Sequence, residues 1–257
     1  MIHVKLVVLL LLAGFQEGMP PYDRSEWGRW MPTGQYGPNG CRWDSRHTAL
    51  RNAAATDRQT LVVRDLPGKA CRVVSLSFVD RYTGEVFTGP GNKIDIDHLV
   101  PLAEAHRSGG WKWTPETKLA FFNDPLNHVP THEKVNASKS DRDPGGESQR
   151  GGIRPWWPID PTARCPFAER WILVKRTWGL FFDPRERDAL ASTLESCAEL
   201  GPDGKRFLLD YELLRAAELI RRDSGLSPED VGAIRRALYK LGPLLHSIQS
   251  SEQDPHQ

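Results

Sequence analysis

The run Asp95-Ile96-Asp97-His98 places two carboxylates and an imidazole within four residues, and Asn127, Asn136 and Lys139 follow downstream. Those residue types suit phosphodiester hydrolysis. A water must lose a proton near neutral pH, and imidazole, with an ordinary pKa of about 6.5, fits that task. Developing negative charge needs a cation, and a hard metal ion needs oxygen ligands, which Asp97 supplies beside His98. Neighbouring strand residues point to opposite faces, so Asp97 and His98 can serve one site only if the strand bends or ends there. Leu99-Val100-Pro101 offers such an ending. On a helix Asn136 and Lys139, three residues apart, share one face.

Other groupings compete. His106, His128 and His132 suggest a zinc site, but Pro130 between the last two disrupts the helical spacing such a pair would need. A secreted zinc-dependent hydrolase of peptide or cell wall, using His98, His128 and His132, is therefore the alternative enzyme reading. A non-catalytic nucleic-acid-binding relative is the other, and the intact set Asp97, His98, Asn127 and Asn136 argues against such decay. Asn136-Ala137-Ser138 is formally a glycosylation sequon. Its place beside Lys139 on a helix favours a ligand role. Trp156-Trp157-Pro158 reads as packing on the domain, with base stacking as the other use of a Trp.

The elements that must position these residues can be read from pattern. Residues 72–79 alternate as a strand, and Tyr82-Thr83-Gly84-Glu85 turns into a returning strand over 86–88. A further strand is predicted over 94–100, then a short helix over 101–108 stopped by Gly109. Thr114, with Pro115 and Glu116, starts a helix running to about Phe122. A second short strand spans 126–129, and Thr131 caps the helix that carries Asn136 and Lys139. Residues 47–55 predict a short helix. Residues 22–40 and 143–161, rich in Gly and Pro, predict irregular, wrapping segments.

Near the start of the sequence Lys5 precedes the short apolar run 6–13, too short for the 18–20 apolar residues of a spanning helix, and the segment so reads as a secretory signal over residues 1–18. Four cysteines without a C-x-x-C pair fit an oxidising compartment, extracellular or periplasmic, rather than a zinc ribbon. Phe167, Trp171, Val174 and Trp178 form a helical stripe ended by Gly179, and Asp183, Pro184 and Glu186 open a second helix with a capping box. Cys165 lies 14 residues before Gly179 and Cys197 lies 14 after Asp183, so an antiparallel pair brings them together and leaves Cys41 for Cys71. Hydrophobic content of 39% and charged content of 26% are ordinary for a soluble globular protein. A formal net charge of only +1 gives no whole-chain footprint for nucleic acid. Beyond 200, Phe207, Leu208, Tyr211, Leu214 and Leu219 suggest one amphipathic helix, a second starts at Pro228, and residues 250–257 read as disordered.

Asp97-His98 with Val100-Pro101-Leu102, then Asn127, Asn136 and Lys139, resembles the HNH (ββα-metal) endonuclease superfamily. More closely, it resembles a secreted branch related to the GmrSD C-terminal-like nucleases. The resemblance also takes in Tyr22-Asp23-Arg24, Trp27-Gly28-Arg29-Trp30, Arg46-His47, Tyr82-Thr83-Gly84, Val174-Lys175 and Trp178-Gly179-Leu180, and so covers roughly residues 22–198. It implies an α+β fold with a ββα-metal core over 19–200, a disulfide-tied helical hairpin, and a helical tail over 201–257. It further implies His98 as general base, Asn127 as the residue that holds the loop and orients the base, and Lys139 at the scissile phosphate. Asp97 and Asn136 would hold one Mg²⁺ or Mn²⁺ ion, since a carboxylate and an amide favour these over zinc. The implied partner is nucleic acid, DNA in the first place, with no stable membrane association after signal removal and no protein partner inferred.

Overall fold

The computed structural model describes residues 18–54, 61–149 and 151–221. All but Gly18 of the signal expected over 1–18, the helix expected from Pro228 and the end at 250–257 lie outside the described residues. The fold is mixed α+β, with small antiparallel sheets and helices around them. Among the described residues no helix is long and apolar enough to cross a membrane.

The first sheet pairs β1 (Pro32–Tyr36) with β2 (Arg42–Asp44) in the Gly- and Pro-rich stretch that the sequence predicts to be irregular. Asp44 then caps α1 (Ser45–Ala53), its carboxylate accepting from the His47 amide. The second sheet has the order β3 (Val62–Arg64), β4 (Arg72–Val79), β5 (Val86–Pro90). Cys41–Cys71 joins the two sheets' neighbourhoods, and Trp43, Leu50, Leu76, Phe78, Ile94 and Ile96 fill the core between them.

The third sheet is the one that matters for the site. β6 (Ile94–His98) pairs with β7 (His128–His132), with Asp97 opposite Val129 and His98 opposite His128. Between them run α2 (Leu102–Arg107) and α3 (Pro115–Phe122), the latter capped by Thr114 as predicted. After β7 comes α4 (Glu133–Lys139), packed back on both strands. Strand, strand and helix therefore form a ββα unit.

Its boundaries differ from the sequence expectation in three places. β6 stops at His98 rather than Val100, because Asn127 takes hold of the chain there. β7 begins at His128 and runs through Pro130, which a two-stranded ribbon tolerates because each strand keeps one unpaired edge. The α4 cap is His132, not Thr131. The Thr131 hydroxyl is buried and donates instead to Asp80 at 2.6 Å, while His132 Nδ1 accepts from the Lys134 amide.

α5 (Arg164–Thr177) and α6 (Pro184–Glu195) form the predicted hairpin, tied by Cys165–Cys197 and opened by the Asp183–Glu186 capping box. Phe167, Trp171 and Val174 are buried in the larger core, with Trp178 half-buried beside it. Trp156 packs on Tyr82 and Phe167, the structural role expected of it. α7 (Pro202–Arg221), expected to be an appended tail, is part of this body: Phe207 and Leu208 are buried in the same core. An amphipathic helix with no second partner would otherwise leave that stripe in water.

Candidate active site

β6 alternates in the ordinary way. Ile94 and Ile96 enter the core behind the strand, while Asp95 and Asp97 face α4. His98 would share the isoleucine side, yet because the strand ends there, Asp97 and His98 line one cleft of about 400 Å³. Asn136 reaches the same cleft from α4. Three of the five predicted site residues thus meet at one surface.

His98 is nearly buried and stacked against Trp30, with ring planes at 12°. Its Nε2 lies 2.8 Å from the Phe122 carbonyl oxygen, and His128 Nε2 lies 2.9 Å from the same oxygen. A carbonyl only accepts, so both rings carry their proton on Nε2 and Nδ1 keeps the lone pair. Burial pushes the His98 pKa down to about 3, with His128 and Arg24 adding to the effect against the Phe122 hydrogen bond. The imidazole is therefore neutral throughout the physiological range.

Asp97 is held from two sides. Tyr82 donates its hydroxyl to Oδ2 at 2.6 Å, and Lys139 Nζ lies 3.0 Å from Oδ1 and 2.9 Å from Oδ2. Burial pushes the Asp97 carboxyl up and the Lys139 ammonium down, and each partner draws the other back toward its charged form. Lys139 also donates to the His98 carbonyl at 2.9 Å and is fully buried. This corrects its expected place: the ammonium lies beneath the strand, bonded to Asp97, rather than at the cleft surface where a phosphate would sit.

Asn136 Nδ2 donates to Asp95 Oδ2 at 2.9 Å, which leaves its amide oxygen as the free end. Asp95 is thereby a supporting residue. Asn127 is fully buried and binds the Val100 backbone through both ends of its amide. It holds the loop after β6 through these bonds, so its place is that of a positioning residue.

The structure adds residues that sequence reasoning missed. Tyr82, read as a turn residue, is delivered to Asp97 by Asp80. One Asp80 oxygen accepts from the Tyr82 amide and the other from Thr131 and His132, tying the β4–β5 turn to β7. Arg24 lies at the cleft with its guanidinium 4.8 Å over the Phe122 ring, and Tyr22, Asp141 and Gln149 complete the rim. Tyr22-Asp23-Arg24 and Tyr82-Thr83-Gly84 belong to the resemblance without a site role in it, and their meeting at Asp97 and the cleft depends on contacts between segments remote in the chain.

Asp97 and Asn136 are oxygen donors, the type that a hard divalent cation takes. Both offer oxygen at one cleft, and each is oriented by an outer partner, the arrangement that ion-binding sites use to fix their ligands. The histidine-based zinc reading fares worse. His98 and His128 share the Phe122 carbonyl, but His132 sits at the far end of β7, opposite Ile94, with its ring against Phe87. Among the described residues no cluster of metal-ligand type contains a histidine.

No protein-family model and no solved structure matches this chain. The chain is 30% identical over 158 residues to an uncharacterized secreted protein of the fungus Arthroderma benhamiae, covering 59% of this chain and 72% of that protein.

Proposed function

We propose, for a chain that belongs to one family with this secreted fungal protein, that it is an extracellular, metal-dependent endonuclease that hydrolyses phosphodiester bonds, with DNA as first substrate. The observation that carries the reading is the meeting of Asp97, His98 and Asn136 at one cleft of a ββα unit. The two disulfides and the secreted relative fit an extracellular site of action.

Asp97 and Asn136 would hold the ion. Bound there, Mg²⁺ or Mn²⁺ supplies polarisation of the phosphate and stabilisation of the leaving oxygen. His98 Nδ1 takes the proton from the attacking water, and the Phe122 carbonyl fixes the tautomer that makes this possible. A base with so low a pKa gains strength when an anionic phosphate lies beside it, since nearby negative charge favours the imidazolium. Trp30, stacked on His98, holds the ring and shields one face from water. Arg24 at the rim meets a phosphate oxygen. Lys139 keeps Asp97 ionised and in place.

Supercoiled plasmid incubated with the purified protein tests the reading. Nicked and then linear or degraded DNA is expected with Mg²⁺ or Mn²⁺, and none with chelator. Intact plasmid with either ion, or undiminished cleavage in chelator, contradicts it.

A further inference from the structure

A second cluster of carboxylates lies away from the cleft. Asp143, Glu147 and Asp183 bring one carboxylate oxygen each within 4.8 Å of one another. The segment 143–149 is pressed against the start of α6: a Cβ on Gly145 would stand 2.5 Å from the Glu186 amide nitrogen. Asp143 is fully buried. Its Oδ1 accepts from the amides of Gly146 and Glu147, but Oδ2 has no hydrogen-bond partner. A buried carboxylate oxygen left unpartnered is costly and calls for a proton or a cation.

Local cations do not supply the balance. Lys175 spends its ammonium on Glu104 at 2.7 Å and on both oxygens of Glu186. Arg107 binds Glu104 and Asp141. Arg185 acts on Glu147 only through its electrostatic field. Asp183 uses Oδ1 on the Arg185 and Glu186 amides as the helix cap. Burial, Glu104 and Asp183 together push the Asp143 pKa up to about 7, and the Glu147 carboxyl is raised for the same reasons.

We propose that Asp143, Glu147 and Asp183 form a calcium-binding site that fastens the 143–149 loop to the start of α6. Oxygen ligands around Ca²⁺ stand about 2.3–2.6 Å from the ion, so ligand pairs reach separations of about 5 Å. The three carboxylates fall inside that limit. Calcium also accepts irregular coordination completed by water, which suits ligands from a loop and a helix cap better than the strict octahedron of Mg²⁺. The same loop carries Gln149 to the rim of the cleft, where Asp141, two residues before the loop, accepts from the Gln149 amide at 2.6 Å. Calcium therefore braces one wall of the cleft without entering it.

Calorimetric Ca²⁺ titration and thermal unfolding of the chelator-stripped full chain test the site without using nuclease activity. Ca²⁺ is expected to bind at roughly 10⁻⁴–10⁻³ M, the range of extracellular calcium modules, and to raise Tm. Asp143→Asn and the less buried Glu147→Gln should each weaken binding about tenfold or more and remove most of the Tm rise, because affinity follows ligand charge. Glu85→Gln, an exposed carboxylate outside both sites, should keep both. Absence of Ca²⁺ binding in the wild-type protein overturns the proposal. So does wild-type affinity in folded Glu147→Gln and Asp143→Asn.

Discussion

Asn127 grips Val100 by both of its backbone polar groups: its Oδ1 accepts from the Val100 amide at 2.8 Å and its Nδ2 donates to the Val100 carbonyl at 3.0 Å. The grip ends β6 at the His98–His128 pair and lets Asp97 and His98 open to the same cleft. Asn127→Ala leaves two buried backbone groups without partners, each worth about 1–3 kcal/mol. Urea unfolding should register a loss of that order. Asn127→Asp, which sets a buried carboxylate oxygen against the Val100 carbonyl, should be at least as destabilised as the alanine variant.

Lys139 and Asp97 form a buried pair whose value lies in mutual neutralisation. Removing one partner of such a pair costs about 3–5 kcal/mol, because the other charge is left buried alone. Lys139→Met should be destabilised by that much. The double variant Lys139→Met with Asp97→Asn should lose clearly less than the sum of the two single losses, which a double-mutant cycle reads directly.

Ser140, immediately after α4 and on the cleft rim, has φ 56° and ψ −134°, a conformation that favours glycine. Backbone strain of this kind is worth about 1–3 kcal/mol. Ser140→Gly should raise stability by about 1 kcal/mol in chemical denaturation, since its side chain makes only a long 3.4 Å contact with Asp141. Ser140→Val should lower it.

What the sequence made legible follows from how local each signal was. The Asp183–Glu186 box, the Thr114 cap and the α5 stripe are short-range patterns, and the helix hairpin that follows from them also fixes the Cys165–Cys197 pairing. Asp97, His98 and Asn136 were likewise found by type and spacing, and the structure brings them together. The missed features depend on contacts across the chain. Tyr82 meets Asp97 only because Asp80 anchors the turn to β7, and Arg24 reaches the cleft from a segment 74 residues before His98. The Lys139 position was misjudged for the same reason: helical spacing gives the face but not the depth, and a buried aspartate beneath that face captures the ammonium. The β1–β2 hairpin was hidden by its Gly- and Pro-rich composition.

Acid should weaken the fold through the histidines. The His98 pKa is pushed down to about 3 in the folded chain, and burial lowers that of His128 as well, whereas both return to about 6.5 on unfolding. Between these values the unfolded chain binds protons that the native one refuses, so stability rises with pH across that window and is lost as pH falls from about 6.5 toward 3. Buried carboxyls raised in the folded chain, Asp143 to about 7 and Glu186 to about 8, pull the other way, so the histidine share is read as a difference between variants. From pH 7 to pH 4 the urea midpoint of His98→Asn should fall less, or rise more, than that of the wild type, because one of the refusing groups is gone.

Single-turnover plasmid cleavage by His98→Ala and Asn136→Ala, compared across a Mg²⁺ titration, tests the central claim that His98 moves the proton while the oxygen donors hold the ion. His98→Ala, checked as folded by circular dichroism, should bind Mg²⁺ like the wild type yet cleave about 10²–10⁴-fold more slowly at every Mg²⁺ concentration. Asn136→Ala should bind Mg²⁺ more weakly and recover rate as Mg²⁺ rises, since occupancy is restored by mass action. Wild-type cleavage by folded His98→Ala would contradict the account.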